Sequence, residues 1–322
     1  MKRLALAVTA TTLSLALAGC GGSSGGPTAT MSADIPTAAA SINESNSVTI
    51  ALSVLAADEI ASEGSPVGVV SQPAYTNIFE LASHTAKGAT PGAPNPTGLT
   101  ESASGQCDFG GSLSISATVT PDSNFYIDDW GDIIALDYPL TMSASMRFFD
   151  CDTGSAYGYP ILGGDLNMSI SSSDGYDLAM ALWGNGFGYT IPNLGIYEGI
   201  SSYNFVFDYD GVDTITYTTD YTLHCGHADI NGTVSVSSVT PWTFVVGTWH
   251  PVDGQIEVVG ADGTSLRITA TAVTGGDPDA DGAFYVEVDS DPLTDGYEQS
   301  YYLSPTIGWN NTGYLVTPWY DY

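Results

Sequence analysis

Positive charge is what this chain has least of: five Lys and Arg stand against 36 Asp and Glu, a formal net charge of −31. Two of the five, Lys2 and Arg3, sit at the extreme N-terminus, which leaves Lys87, Arg147 and Arg267 for the rest. Such a field repels phosphodiester backbones and anionic headgroups, so nucleic acid and acidic lipid surfaces are poor partners. It suits high salt, which screens repulsion over a few ångströms, and it suits divalent cations. Histidine is scarce too: His84, His224, His227 and His250 leave little for general-base chemistry. There is no H-E-x-x-H, no P-loop and no dinucleotide fingerprint. Helical periodicity is missing after about residue 63, which excludes parallel β-α-β units.

What is present begins with an address. Met1-Lys2-Arg3 precedes an uncharged stretch from Leu4 to Leu17, then Ala18-Gly19-Cys20. A basic start, an apolar core and small residues at a cut describe an export signal. The apolar run is shorter than the roughly 20 residues a spanning helix needs. Leu17-Ala18-Gly19-Cys20 resembles the lipobox of bacterial lipoproteins. That resemblance implies a signal peptide over residues 1–19, lipidation of Cys20 and membrane attachment through its acyl chains, two or more of which anchor stably. Gly21 in place of aspartate after the cysteine points to the outer membrane, at its periplasmic face or the cell surface. Loss of Lys2 and Arg3 leaves three strong bases against 36 acids, a formal −33. Residues 20–41 read as a tether, glycine- and serine-rich at its start. Gly21-Gly22-Ser23-Ser24-Gly25 matches G-x-S-x-G but lacks the strand and helix that a nucleophile elbow needs.

Residues 42–322 read as one β-rich domain. A helix is predicted over about 43–63, capped by Asn43 or Ser45. Val48, Leu52 and Leu55 form one stripe, and Ile50, Val54, Ala57 and Ala61 another, so the helix needs cover on several sides. Residues 88–98, with Pro91, Pro94 and Pro96, read as a linker. From about 106 to 322 period two dominates, as in Leu113/Ile115/Ala117/Val119, Leu140/Met142/Ala144/Met146/Phe148 and Phe205/Phe207/Tyr209. Clean alternation means one buried and one wet face, the antiparallel habit. The expected fold is mainly β: a long curved antiparallel meander, open-barrel or half-barrel-like, with the N-terminal helix packed in its concave face.

The order of motifs resembles a family. Cys107-Asp108-Phe109-Gly110-Gly111-Ser112 opens a strand, Gly131-Asp132 follows, and Phe148-Phe149-Asp150-Cys151 ends the return strand. Gly163-Gly164-Asp165-Leu166, Ile230-Asn231-Gly232-Thr233, Pro251-Val252-Asp253-Gly254 and Asp262-Gly263-Thr264-Ser265 continue the series. This is similar to a group of proteobacterial lipoproteins built of glycine-punctuated strands. The resemblance implies architecture and anchoring, and no activity.

Cys107 and Cys151 bracket a hairpin-like segment, and export permits oxidation. Joining them would stabilise by roughly 4 kcal/mol in the chain-entropy picture. Cys225 is then the odd thiol. His224 and Cys225 face opposite sides of a strand, and no C-x-x-C accompanies His224-Cys225-Gly226-His227, so a buried thiol is expected, not zinc. Asp277, Asp279 and Asp281 read D-x-D-x-D-G with Gly282, and Asp289, Asp291, Asp295 and Glu298 follow. Calcium favours alternating oxygens around a glycine bend, though the EF-hand template fails at Val288. Solvated acidic turns are the plainer reading there, and for Asp128, Asp129 and Asp132. No cofactor is expected; calcium is the one ion the pattern fits. Trp183, Phe187, Tyr189 and Tyr197 lie among glycines, where flat rings stack on sugars or lipid-like ligands, or else cover a sheet.

The function expected is that of a lipid-anchored, non-catalytic cell-envelope protein with a binding or structural role and a protein or glycan partner. One alternative is a periplasmic carrier holding an apolar or lipid-like ligand in the curved sheet. Another is a glycan-binding or glycan-hydrolysing surface lipoprotein. An empty apolar cup would mark the carrier and a helix filling it the structural reading. Two carboxylates about 5 to 9 Å apart across a cleft would mark a glycosidase.

Overall fold

The computed structural model describes residues 35–62, 100–107, 109–119, 125–127, 133–136, 139–152, 155–157, 161–173, 177–191, 196–226, 230–245, 251–271, 283–294 and 296–303. One helix, α1 (Ser47–Ser62), precedes fourteen strands among these residues. They are β1 (Thr100–Gln106), β2 (Ser112–Val119), β3 (Phe125–Ile127), β4 (Ile133–Leu136), β5 (Leu140–Asp152), β6 (Ile161–Ser172), β7 (Leu178–Ile191) and β8 (Ile196–Tyr209). The rest are β9 (Thr214–Gly226), β10 (Asn231–Val245), β11 (Asp253–Val259), β12 (Ser265–Thr271), β13 (Ala283–Asp289) and β14 (Gln299–Leu303). Twelve of them form one antiparallel meander in the order β1-β2-β5-β6-β7-β8-β9-β10-β11-β12-β13-β14, which does not close; β3 and β4 pair with each other. The expected mainly-β meander is the fold observed. β1 starts ahead of the predicted meander because Thr100–Gln106 carries no large apolar residue for periodicity to register. The predicted linker 88–98 lies outside the described residues.

The apolar halves of the alternating strands join one core, which α1 meets at β8, β9 and β12. Ile256, Val258, Leu266, Ile268, Val286 and Val288 are fully buried on β11 to β13. Phe205, Phe207, Tyr217 and Tyr221 stack beside them on β8 and β9 with ring centroids 4.5 to 6.0 Å apart. From α1, Ile50, Ala51, Val54 and Leu55 are fully buried. Burying each of the larger three is worth about 1.5–3 kcal/mol, so tertiary packing, not propensity, holds this helix. The helix begins at Ser47, later than predicted, because residues 43–46 form a side-chain-locked turn. Asn43 Oδ1 accepts from the Ser45 backbone, Asn46 Oδ1 from the Asn43 backbone, and Asn46 Nδ2 donates to the Ser41 carbonyl.

The sheet wraps around α1. Ser47 lies beside Tyr301 of β14, and Ser53 lies beside Glu198 of β8. Those two helix positions are about 9 Å apart along the axis. On a flat sheet β8 and β14, six strands apart, would be separated by about 29 Å. Side chains cannot bridge that difference, so the strands curl toward each other. Breaks in the ladders supply the bend: the register steps at Phe148/Cys151, Gly164/Asn167, Ser201/Asn204 and Val234/Trp242. Asp150 (φ 47°), Gly164 (φ 116°) and Ser202 (φ 49°) take left-handed or mirror-β backbone at three of these steps.

The segment ahead of α1 is built into one end of the sheet. Ala39 bridges Thr233 of β10 in parallel, the Ala40 amide donates to the Thr233 carbonyl at 2.9 Å, and the Ala261 amide donates to the Ala40 carbonyl at 2.8 Å. Gly232 permits this approach, since a Cβ there would sit 2.7 Å from the Ala38 carbonyl oxygen and 2.8 Å from the Ala40 Cβ.

Candidate functional site

Two carboxyl groups lie between α1 and the sheet, Asp58 on the helix itself and Glu198 on β8. Asp58, fully buried, accepts from Trp242 Nε1 at 3.0 Å on Oδ2 and from the Tyr217 hydroxyl at 3.4 Å on Oδ1. Burial pushes its pKa up to about 7, against hydrogen bonds that pull it down. Glu198, 5 % exposed, accepts from the Tyr189 hydroxyl at 2.9 Å, and burial pushes its pKa up to about 8. Uncharged carboxyls suit this dry site. Asp58 ties α1 to β9 and β10, and Glu198 ties β8 to β7.

A cleft of about 330 Å³ opens on the opposite, outward face at one end of β5–β8. Its floor is the outward side of Gly163 and Gly188, and its walls include Ile161, Thr190 and Tyr197. Register explains the grouping: Asp152 pairs with Ile161, Ile161 with Thr190, and Thr190 with Tyr197. The Tyr197 side chain lies over Gly188 and Gly199, its hydroxyl 2.8 and 2.6 Å from where a Cβ on each would stand. Its pKa is driven upward by burial and by the nearby Glu198.

The lip of the cleft is Phe109-Gly110-Gly111, fastened to the end of β5. Cys107 and Cys151 form the expected disulfide, Cα atoms 5.4 Å apart and 44 residues apart in sequence. The Phe109 amide donates to the Asp152 carbonyl at 3.3 Å, and the Asp152 amide to the Gly110 carbonyl at 2.9 Å. Asp152 is further held by the Ser155 amide and hydroxyl at 2.6 and 2.7 Å. Gly111 is obligatory, because a Cβ there would meet the Asp150 carbonyl oxygen at 2.0 Å. Phe109 itself is 55 % exposed at the rim.

The structure divides the aromatic set that the sequence singles out. Tyr197 lines the cleft, and Trp183 is exposed farther along the outward face, beside Asn167 and Asn204 on the neighbouring strands. Phe187 and Tyr189 turn inward, where Phe187 meets Phe148 edge-on at 5.4 Å and Tyr189 bonds Glu198. Asp289, Asp291 and Glu298 are described, while Asp277, Asp279, Asp281, Asp295 and Cys20 lie outside the described residues. Glu298 accepts from Thr294 Oγ1 and the Ser290 amide, which hold its pKa below the ordinary value. Asp291 Oδ1 accepts from the Leu293 amide. Among the described residues no three His, Cys, Asp or Glu are grouped to hold a metal.

His224 spends both ring nitrogens on structure, Nε2 against Ser201 Oγ at 2.7 Å and Nδ1 against the Pro36 carbonyl at 2.8 Å. Cys225 is a buried free thiol, its pKa driven upward by burial and by Glu198. Periodicity did not single out Phe109, Asp150, Thr190, Asp58 or Glu198. The signal available was the Gly110-Gly111 turn beside Cys107. Compared with known proteins, the chain matches no family model, no curated protein and no solved structure.

Proposed function

We propose that this chain is an exported, lipid-anchored envelope protein of a bacterium, non-catalytic, which binds its partner through the outward face of the sheet. The observation that carries the reading is α1 seated in the concave face, with Ile50, Ala51, Val54 and Leu55 fully buried where a carrier would hold its cargo. The Cys107–Cys151 bridge fits an oxidising, extracellular or periplasmic compartment. Anchoring at Cys20 supports the envelope over secretion. Titration of the full-length chain with a fluorescent fatty acid tests the filled cup. No saturable uptake is expected; stoichiometric uptake would make it a carrier instead. A Cys20→Ala variant should lose palmitate label and leave the membrane fraction, and membrane retention without label would remove the anchor from the account.

A further inference from the structure

The geometry points to a specific occupant for the outward cleft: a neutral or amino-bearing sugar unit of a glycan, held under a lip that the Cys107–Cys151 bridge keeps in place. This deepens the binding role proposed above and rests on it.

The size comes first. A cleft of about 330 Å³ is at the small end of ligand pockets, which run to roughly 1,000 Å³, and has room for a sugar unit or two rather than an acyl chain. The lining comes second. A pyranose has apolar C–H faces and a rim of hydroxyls. Phe109 and Tyr197 offer ring surface to those faces, and Thr190 and Asp150 offer a hydroxyl and a carboxylate to the rim. Gly163 leaves its part of the floor without a side chain, so a sugar ring can reach the backbone there, while the Tyr197 hydroxyl lies over Gly188. Charge comes third. Among the described residues the lining holds Asp150 and Asp152 and no Lys, Arg or His, in a chain of net charge −31. Uronic acids, phosphates and fatty acids are therefore repelled, while neutral sugars and hexosamines are accepted. Rigidity comes last. The bridge, the two Phe109–Asp152 segment hydrogen bonds and the left-handed Asp150 (φ 47°) fix the lip before a ligand arrives.

The full-length chain in detergent is screened against an array of neutral, amino-bearing and uronic-acid oligosaccharides, and the strongest binder is measured by calorimetry. Variants are Phe109→Ala at the exposed rim, Asp150→Asn, which tolerates the same φ without the charge, and Trp183→Ala as a control on the same face. Melting curves verify folding of each. Neutral or amino sugars should bind, at least tenfold more weakly to Phe109→Ala and measurably more weakly to Asp150→Asn, with Trp183→Ala unchanged. Preference for uronic acids, equal affinity in the first two variants, loss only in Trp183→Ala, or no sugar bound at all would each overturn the assignment. An absence of sugar binding, with fatty-acid uptake also absent, removes this site alone. Uptake of the fatty acid removes the broader reading.

Discussion

Stability should fall as pH rises from about 5 to about 8, and two residues should account for the fall. Asp58 and Glu198 have folded-state pKa values raised to about 7 and about 8, from ordinary values of 3.8 and 4.5. A raised folded pKa means that the native state holds its proton longer than the unfolded chain. Its contribution is complete below the ordinary value and is lost as pH climbs to the folded one. Between about pH 5 and pH 8, Asp58 crosses about two units of that window and Glu198 about three, so the loss is about 7 kcal/mol at 1.36 kcal/mol per unit. Exposed acids with lowered pKa, Asp210 and Glu298, act with the opposite sign and below this range, where falling pH removes their hydrogen-bonded charge. Asp58→Asn imitates the protonated acid, still accepting from Trp242, and should recover about 3 kcal/mol of the fall; Glu198→Gln should recover about 4 kcal/mol. The assay is urea unfolding at each pH in high salt, with m-values compared to confirm one transition. A flat profile, or an equally steep one in the double variant, would refute the claim that these groups are buried and neutral between α1 and the sheet.

Replacing Cys107 and Cys151 together by Ser should lower unfolding free energy by about 4 kcal/mol in the chain-entropy picture, and a loss under about 1 kcal/mol would mean that the unfolded chain was already constrained. Leu55→Ala, in the filled concave face, should cost about 2–5 kcal/mol by guanidinium unfolding, and an effect within experimental error would contradict its full burial. Gly232→Val should drive the segment before α1 off Thr233, at a cost of about 1–3 kcal/mol, and expose it to protease. Unchanged cleavage there would contradict the close approach of Ala38 and Ala40.

Strands such as β6, β11 and β12 were legible because they bury alternate residues on one face, and the bridge because two cysteines bracketed a strand–turn–strand unit in an exported chain. The helix announced its surroundings by being apolar nearly all round. The candidate site was far less legible. Trp183, Phe187 and Tyr189 are all odd-numbered on β7, and strict period two would put them on one face. The ladder to β6 steps here, Gly164 pairing with Phe187 but Asn167 with Trp183, so that β7 carries one extra residue and its alternation reverses. Trp183 is left facing out while Phe187 and Tyr189 turn into the core. Nor does periodicity register Gly163 and Gly188, whose contribution is the absence of a side chain. Asp58 and Glu198 could not be picked from 36 acids, because only the folded chain excludes water from them.

α1 fills the concave face as part of the folded core. Hydrogen–deuterium exchange followed by mass spectrometry on the full-length chain tests it most directly. Amides of Ile50 to Asp58 should be protected as strongly as those of β9 and β10 and should exchange only with global unfolding. Exchange of that stretch within seconds, with β9 and β10 still protected, would mean an undocked helix and an open cup.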